Sequence, residues 1–206
     1  MSKICNLKNA LVIFTRNPEL GKCKTRLAKV IGDKSALEIY KYLLQHTANV
    51  SKEVDADRFV FYSESIQDND IWDDSFFNKK LQCGNDLGER MQNAFQQLFD
   101  SNYKNVIIIG SDLLDLNSVI INKAFSLINE YDAVIGPAKD GGYYLLGLKA
   151  ANPKLFKNKE WGTETVRRDT LNDLKNSTVF TLDELNDIDT FEDMKPYNQL
   201  KPYYSI

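Results

Sequence analysis

The residues in this sequence most suited to chemistry are two acidic runs and one cationic run. Asn105 to Leu116 reads Asn-Val-Ile-Ile-Ile-Gly-Ser-Asp-Leu-Leu-Asp-Leu. The β-branched run from Val106 to Ile109 suits a strand buried on both faces, and Gly110, Ser111, Asp112 and Asp115 follow at once. Such a strand delivers carboxylates to the carboxyl edge of a sheet, where open α/β folds bind ligands and where a cation can be held. The plainer alternative is that Asp112 or Asp115 caps the next helix or turn. The second acidic run is Leu185 to Met194. There Thr190 and Asp193 have the spacing of a capping box, which leaves Asp187 and Asp189 without a structural duty. Two separated Asp pairs at strand ends are what a magnesium site bridging a diphosphate requires, since hard cations take oxygen ligands and keep several waters.

The cationic run follows the first apolar stretch, Ala10 to Phe14. From Thr15 to Leu27 it contains Arg16, Lys22, Lys24 and Arg26, broken by Pro18 and Gly21, and it leads towards a helix start where free N–H groups favour an anion. Phosphate is the natural candidate; a solvated loop is the alternative. The spacing is not that of a Walker P-loop. Cys23, between two lysines, reads as a neutral filler. Further on, Gln82 to Met91 opens a helix. Asp86 and Glu89 form a capping pair, while Gly84 and Gly88 would let backbone approach a flat ligand and Arg90 would reach a phosphate. Gly136 to Leu148 contains Asp140-Gly141-Gly142-Tyr143-Tyr144. This suits a hairpin turn and also a polyhydroxylated ligand, which wants a carboxylate for its hydroxyls and an aromatic surface for its C–H face.

Strands and helices must alternate to position these groups. Helical spacing covers Asp33 to Lys52, with Asp33 as cap and His46 as a surface or packing residue, then the stripe Met91, Ala94, Phe95, Leu98 and Phe99, and then Val119 to Ile128. Another helix follows Trp161-Gly162-Thr163-Glu164-Thr165, with Thr163 as cap, and runs to about Leu174. Arg58 to Tyr62, Ala133 to Ile135 and Phe180 to Leu182 read as strands. Glu64 to Lys80 reads as an irregular loop pinned by Trp72, Phe76 and Phe77, and Lys201 to Ile206 as a tail. With 206 residues, 43% of them hydrophobic, one α/β domain is expected. A formal net charge of -3 offers no basic surface for nucleic acid. Cys5, Cys23 and Cys83 form no cluster with the single His46, so neither a zinc site nor a disulfide framework is expected. A reduced cytoplasm fits, and no apolar run reaches the length of a membrane span.

Six motifs stand in a specific order: Lys24-Thr25-Arg26-Leu27, the segment from Gly84 to Met91, Gly110-Ser111-Asp112, Asp140 to Leu145, Trp161-Gly162-Thr163, and Asp187-Ile188-Asp189-Thr190. Together they resemble the DUF2064 family of bacterial glycosyltransferase-like proteins, within the nucleotide-diphospho-sugar transferase (GT-A) superfamily. The resemblance runs from Ala10 to Met194, with molybdenum-cofactor and phospholactate guanylyltransferases and sugar-nucleotide pyrophosphorylases as more distant relatives. It implies a three-layer α/β/α sandwich with a mostly parallel central sheet.

The resemblance further implies that Mg2+ or Mn2+ is held by Asp112 and Asp189. Nucleotide is expected at Thr15, Arg16, Gly21, Lys24, Arg26, Gly84, Asp86, Gly88, Arg90 and Ser111. Sugar or acceptor is expected at Asp140, Gly141, Gly142, Tyr143, Trp161, Gly162 and Thr163, and Lys24, Arg26, Asp112, Asp140 and Glu164 are the expected catalytic groups. Arg16 stands where a Lys is usual, and Leu114 where the family has Pro, which implies a less rigid loop behind the metal. The leading expectation is a magnesium-dependent glycosyltransferase that uses a nucleotide sugar and releases a nucleoside diphosphate. The alternatives are a nucleotidyltransferase joining an NTP to a phosphorylated small molecule with release of pyrophosphate, and a nucleotide-binding module without catalysis.

Overall fold

The computed structural model describes residues 8–204, so Cys5 and the last two residues of the expected tail lie outside the described residues. In chain order the elements are β1 (Asn9–Thr15), α1 (Thr25–Ile31), α2 (Asp33–Lys52), β2 (Asp57–Tyr62), β3 (Asn78–Leu81), α3 (Leu87–Asp100), β4 (Asn105–Ile109), α4 (Ser118–Leu127), β5 (Ala133–Pro137), β6 (Tyr143–Leu148), α5 (Val166–Asp173), β7 (Val179–Thr181) and α6 (Phe191–Met194). The strands form one seven-stranded sheet in the order β3-β2-β1-β4-β6-β5-β7. Every pairing is parallel except those of β6, which runs against both β4 and β5.

Alternation along the strands divides the core in two. Leu11 and Ile13 of β1 and Ile107 and Ile109 of β4 point to the face covered by α2 and α4, through Tyr40, Leu44, Ile121 and Phe125. Their neighbours Ala10, Val12, Val106 and Ile108 point to the opposite face, covered by Met91, Phe95 and Leu98 of α3 together with Leu155 and Leu174. All five residues of β4 are buried, as expected of a strand covered on both sides. The fold is thus the expected three-layer α/β/α sandwich.

A third cluster lies at the carboxyl edge of β1 and β4. Leu27 of α1, Ile39 and Leu43 of α2, Leu114, Ile188, Met194 of α6 and Leu200 pack there with almost no exposure. The segment read as a tail is therefore partly structured. A 3-10 turn covers Asn198–Tyr203, with Leu200 fully buried and the Tyr203 ring 5.5 Å from that of Tyr42. Leu114 is held by packing in this cluster.

Three other local expectations need correction. Asp33 is the first residue of α2 and makes no capping bond; Gly32, at φ 82°, occupies the N-cap because the chain must reverse sharply between α1 and α2. The loop from Glu64 ends in regular structure, since β3 adds to the sheet beside β2. Trp72 and Phe77 do pin that loop, edge to face at 5.2 Å, while Phe76 is exposed. Thr165, not Thr163, is the N-cap of α5, and the Thr163 hydroxyl instead donates to the Glu160 carbonyl at 2.8 Å. Cys23 and Cys83 are free thiols; burial raises the Cys23 pKa, which fits the filler reading. No helix among the described residues is long and apolar enough to cross a membrane.

Candidate functional site

The strand order turns from one side to the other between β1 and β4, and parallel sheets bind ligands at the carboxyl ends beside such a switch. Here that edge opens into a cleft of about 750 Å³. Ser111 and Asp112 enter it directly after β4, and Thr15 and Arg16 after β1. Tyr40 of α2 fixes the second exit: its hydroxyl accepts from the Arg16 N–H at 3.0 Å and donates to the Arg16 carbonyl at 3.2 Å. Asn17 is buried and ties the same loop to its neighbour, donating to the Ser65 carbonyl at 2.7 Å and accepting from the Glu64 N–H at 3.1 Å. Gln82 bridges the Thr15 and Phe61 carbonyls, and Arg90 in turn donates to the Gly84 carbonyl at 3.1 Å and to Gln82 at 3.4 Å. The sequence reading did not single out Tyr40, Asn17 or Gln82, whose roles are to hold the exits of β1 and β2 together.

Lys24 is the centre of the cleft. Its backbone is left-handed, φ 50°, at the N-cap of α1, an uncommon conformation for a residue with a Cβ. Its side chain is only 6% exposed, and its ammonium lies 2.8 Å from Asp112 Oδ2 and 3.8 Å from Asp189 Oδ1. Burial alone would strip its charge, but the two carboxylates outweigh it and hold the pKa above the ordinary lysine value. Arg26, largely exposed, adds a 2.8 Å pair to Asp189 Oδ2. The late acidic run reaches this point through Ile188: its side chain is buried in the third cluster and its N–H donates to the Asp112 carbonyl at 3.0 Å. The Thr190–Asp193 capping box then fixes the turn that follows.

Asp112 and Asp189 therefore meet around one cation, the Lys24 ammonium. Among the described residues no three carboxylate, imidazole or thiol groups converge closely enough to cage a metal. The donor set nevertheless fits Mg2+, which characteristically uses one or two carboxylates and completes its shell with substrate phosphates and water. Both carboxylates retain about one third of their side-chain exposure, at 34% and 33%, towards the cleft. Asp115 does not join them; it accepts from the Tyr197 hydroxyl at 2.5 Å.

A second cavity of about 240 Å³ adjoins the cleft and shares Phe14, Leu87, Gly110 and Asp112 with it. Its walls include Met91, Tyr143, Trp161 and Val166, and Asp112, Asp140 and Asp187 contribute carboxylates. Asp140 also accepts from the Gly142 N–H at 2.8 Å, closing the β5–β6 turn as well as facing the cavity. Asp187, which the sequence reading paired with Asp189 as a candidate metal ligand, belongs to this group instead. Burial, with help from Asp140 and Asp112, pushes its carboxyl up to about 6. The proton is then held in the folded chain and released on unfolding between about pH 4 and pH 6, so this group's contribution to stability falls as pH rises through that window. Asp187→Asn is expected to raise the melting temperature at pH 7.5 and to leave it unchanged near pH 4, measured by thermal denaturation at both values.

Several expected site residues stand elsewhere. Gly88 is buried against the protein itself: a Cβ there would lie 2.4 Å from Trp161 Nε1 and 2.6 Å from the Phe156 carbonyl oxygen. Gly84 would meet the backbone of Glu89 and Arg90 within 3 Å, and neither glycine lines the cleft. Gly88→Ala should therefore destabilise the fold by about 1–3 kcal/mol, the usual cost of overpacking, without changing nucleotide affinity in the folded fraction; urea denaturation and calorimetry test the two halves. Gly21 serves its own turn, at φ 75°, and does not line the cleft. Gly141 lets the Glu164 backbone lie against the hairpin, where a Cβ would stand 2.5 Å from Glu164 Cα. The Glu164 residue is exposed and lines neither cavity, so the catalytic role expected for it has no geometric support. The Tyr143 ring lines the second cavity, the aromatic surface the sequence suggested, while its hydroxyl is buried without a partner. Of the other residues expected to bind, Thr15, Arg16, Lys24, Arg26, Asp86, Arg90 and Ser111 line the cleft, and Asp140, Gly142, Trp161, Gly162 and Thr163 line the second cavity.

The sequence model of a family described as "Uncharacterized protein conserved in bacteria (DUF2064)" matches residues 46–163. The chain belongs to the DUF2064 family. The matched span holds Ser111, Asp112 and Asp140 and lies between the cationic loop and the late acidic run. Similarity outside that span comes from single proteins. A structure described as a candidate nucleotide-diphospho-sugar transferase from Desulfovibrio desulfuricans G20 is 33% identical, covers 94% of this chain and 87% of its own, and superposes with a TM-score of 0.85. The 2-phospho-L-lactate guanylyltransferase of Methanocaldococcus vulcanius is 29% identical over 147 residues, which is 69% of this chain and 62% of that protein's length. A cytidylyltransferase from Leptospira borgpetersenii shares the fold at a TM-score of 0.64 and 15% identity, covering 98% of this chain and 89% of its own.

Proposed function

We propose that this DUF2064 protein is a magnesium-dependent nucleotidyltransferase. The observation that carries this reading is the set of Arg16, Lys22, Lys24, Arg26 and Arg90 lining one cleft together with Asp112 and Asp189, which pair with Lys24 and Arg26. A nucleoside triphosphate laid across it has its phosphates against the cations. An acceptor oxygen arriving from the second cavity attacks the α-phosphorus, the bond to the β-phosphate oxygen breaks, pyrophosphate leaves and the acceptor proton passes to water or a carboxylate. Preorganised cations act where charge builds on the departing pyrophosphate. Mg2+ held by Asp112 and Asp189 would polarise the phosphoryl oxygens. The name of the guanylyltransferase relative agrees with this reading, which the sequence had put second to glycosyl transfer.

Glycosyl transfer from a nucleotide sugar stays as the second reading because the second cavity pairs aromatic walls with carboxylates, and because the D. desulfuricans neighbour bears a sugar-transferase description. The deciding experiment supplies Mg2+ with each of the four NTPs or with nucleotide sugars, and a mixed acceptor pool. Pyrophosphate release supports the proposal; free nucleoside diphosphate from a nucleotide sugar replaces it with the second reading. Calorimetric binding of nucleotide with neither product would point to a sensing module.

A further inference from the structure

We infer that the part of the acceptor seated in the second cavity is an uncharged, hydroxyl-bearing body with an apolar face, not a carboxylate or phosphate. This rests on the transferase reading above and names the class of its second substrate. Among the described residues no lysine, arginine or histidine lines the cavity. What faces a ligand is apolar, from Met91, Tyr143, Trp161 and Val166, together with the carboxylates Asp112, Asp140 and Asp187. An anionic body would meet Asp140 and Asp187 with no cation among the lining residues, and the nearest ammonium, that of Lys24, is already taken up by Asp112 at 2.8 Å. A hydroxyl instead donates to a carboxylate in a charge-assisted bond, stronger than a neutral one. The hydroxyl of Tyr143 is buried away without a partner, so it offers the cavity its ring, and an aliphatic or sugar C–H face packs on that ring and on Trp161. The cationic groups all line the neighbouring cleft, so charge in the acceptor is tolerated only at the reacting end.

This departs from what the name of the guanylyltransferase relative says of its own substrate, since phospholactate carries a carboxylate beside its phosphate. A cavity of about 240 Å³ also sets the size of the part it seats, which is that of a small molecule.

Intrinsic fluorescence provides the test, because the chain has two tryptophans and Trp72 is buried at 1% exposure whereas Trp161 lines the cavity. Phenyl β-glucoside, 2-phospholactate and 3-phosphoglycerate are titrated separately, with and without Mg2+ and a non-hydrolysable NTP, and Trp161→Phe identifies the reporting ring. Saturable binding of the glucoside at least tenfold tighter than either phospho-acid is expected, weakened about fivefold by Asp140→Asn, with the phospho-acids gaining in the same variant. Equal or tighter binding of a phospho-acid by the wild-type protein, or no Trp161 response to any probe, overturns the inference. Nucleotide binding is followed independently by calorimetry, so failure of the transferase reading registers there and not in the ranking of acceptor probes.

Discussion

Asp112→Ala is expected to lower affinity for a magnesium–nucleotide complex by about 100-fold or more and to lower the melting temperature at the same time. The first effect follows from the loss of one of two carboxylates available to a metal that takes few protein ligands. The second was not expected from a strand-end carboxylate considered alone. It arises because Asp112 is the nearer partner of a buried ammonium at 2.8 Å, and Asp189 remains only at 3.8 Å. Stripping one partner from a fully buried pair costs roughly 3–5 kcal/mol. With Asp112 one-third exposed and Asp189 still nearby, about 1–3 kcal/mol is the appropriate scale here, or several degrees for a chain of this size. Asp112→Asn preserves volume and discriminates charge from packing: it should lose the affinity as fully as Ala does. Calorimetry with Mg2+ and NTP, beside thermal melts, measures both, and unchanged affinity in either variant would remove Asp112 from the metal site.

The sequence disclosed the positions that chemistry and local pattern determine together. Val106 to Ile109 suited a buried strand, which put the charge after it on the sheet edge, and the cations after Phe14 follow another such strand, so both runs come to the carboxyl edge beside the switch point. The Thr190–Asp193 box was legible because capping is a three-residue pattern. Features set by distant packing were hidden. Gly88 is a glycine because Trp161, far along the chain, lies against it, and no local rule distinguishes that from a glycine cleared for a ligand. Asp187 and Asp189 take different surroundings because Ile188 between them is buried, which turns one carboxylate to the apolar cavity and the other to Lys24 and Arg26. For Tyr143 the residue type and its aromatic face were legible but not which way the hydroxyl would be buried, and Glu164 looked available only because the contact of its backbone with Gly141 is invisible locally.

Lys24→Met should change the binding of metal alone and of the metal–nucleotide complex in opposite directions. Without nucleotide the ammonium bridges Asp112 and Asp189, so a divalent ion must displace a charge already satisfied at 2.8 Å. A methionine keeps most of the stem and removes that competitor, and affinity for Mn2+ alone should rise about tenfold, equivalent to roughly 1.4 kcal/mol. On the proposed nucleotide-binding reading the same ammonium turns to a phosphate when nucleotide binds; its loss would then remove a charged hydrogen bond of about 1.5–3 kcal/mol, and affinity for the complex should fall about 10- to 100-fold. Removing the ammonium leaves Asp112 and Asp189 facing each other without it, and with both carboxylates about one-third exposed the loss of stability should be on the scale given for Asp112→Ala, about 1–3 kcal/mol, so both affinities are measured well below the variant's melting temperature. Electron paramagnetic resonance counts free Mn2+ and calorimetry follows the complex. If both affinities fall together, Lys24 is a structural strut for the cleft and not an internal stand-in for the metal; if metal alone tightens while the complex weakens, the two ligands bind as a unit because one lysine cannot serve both carboxylates and phosphate at once.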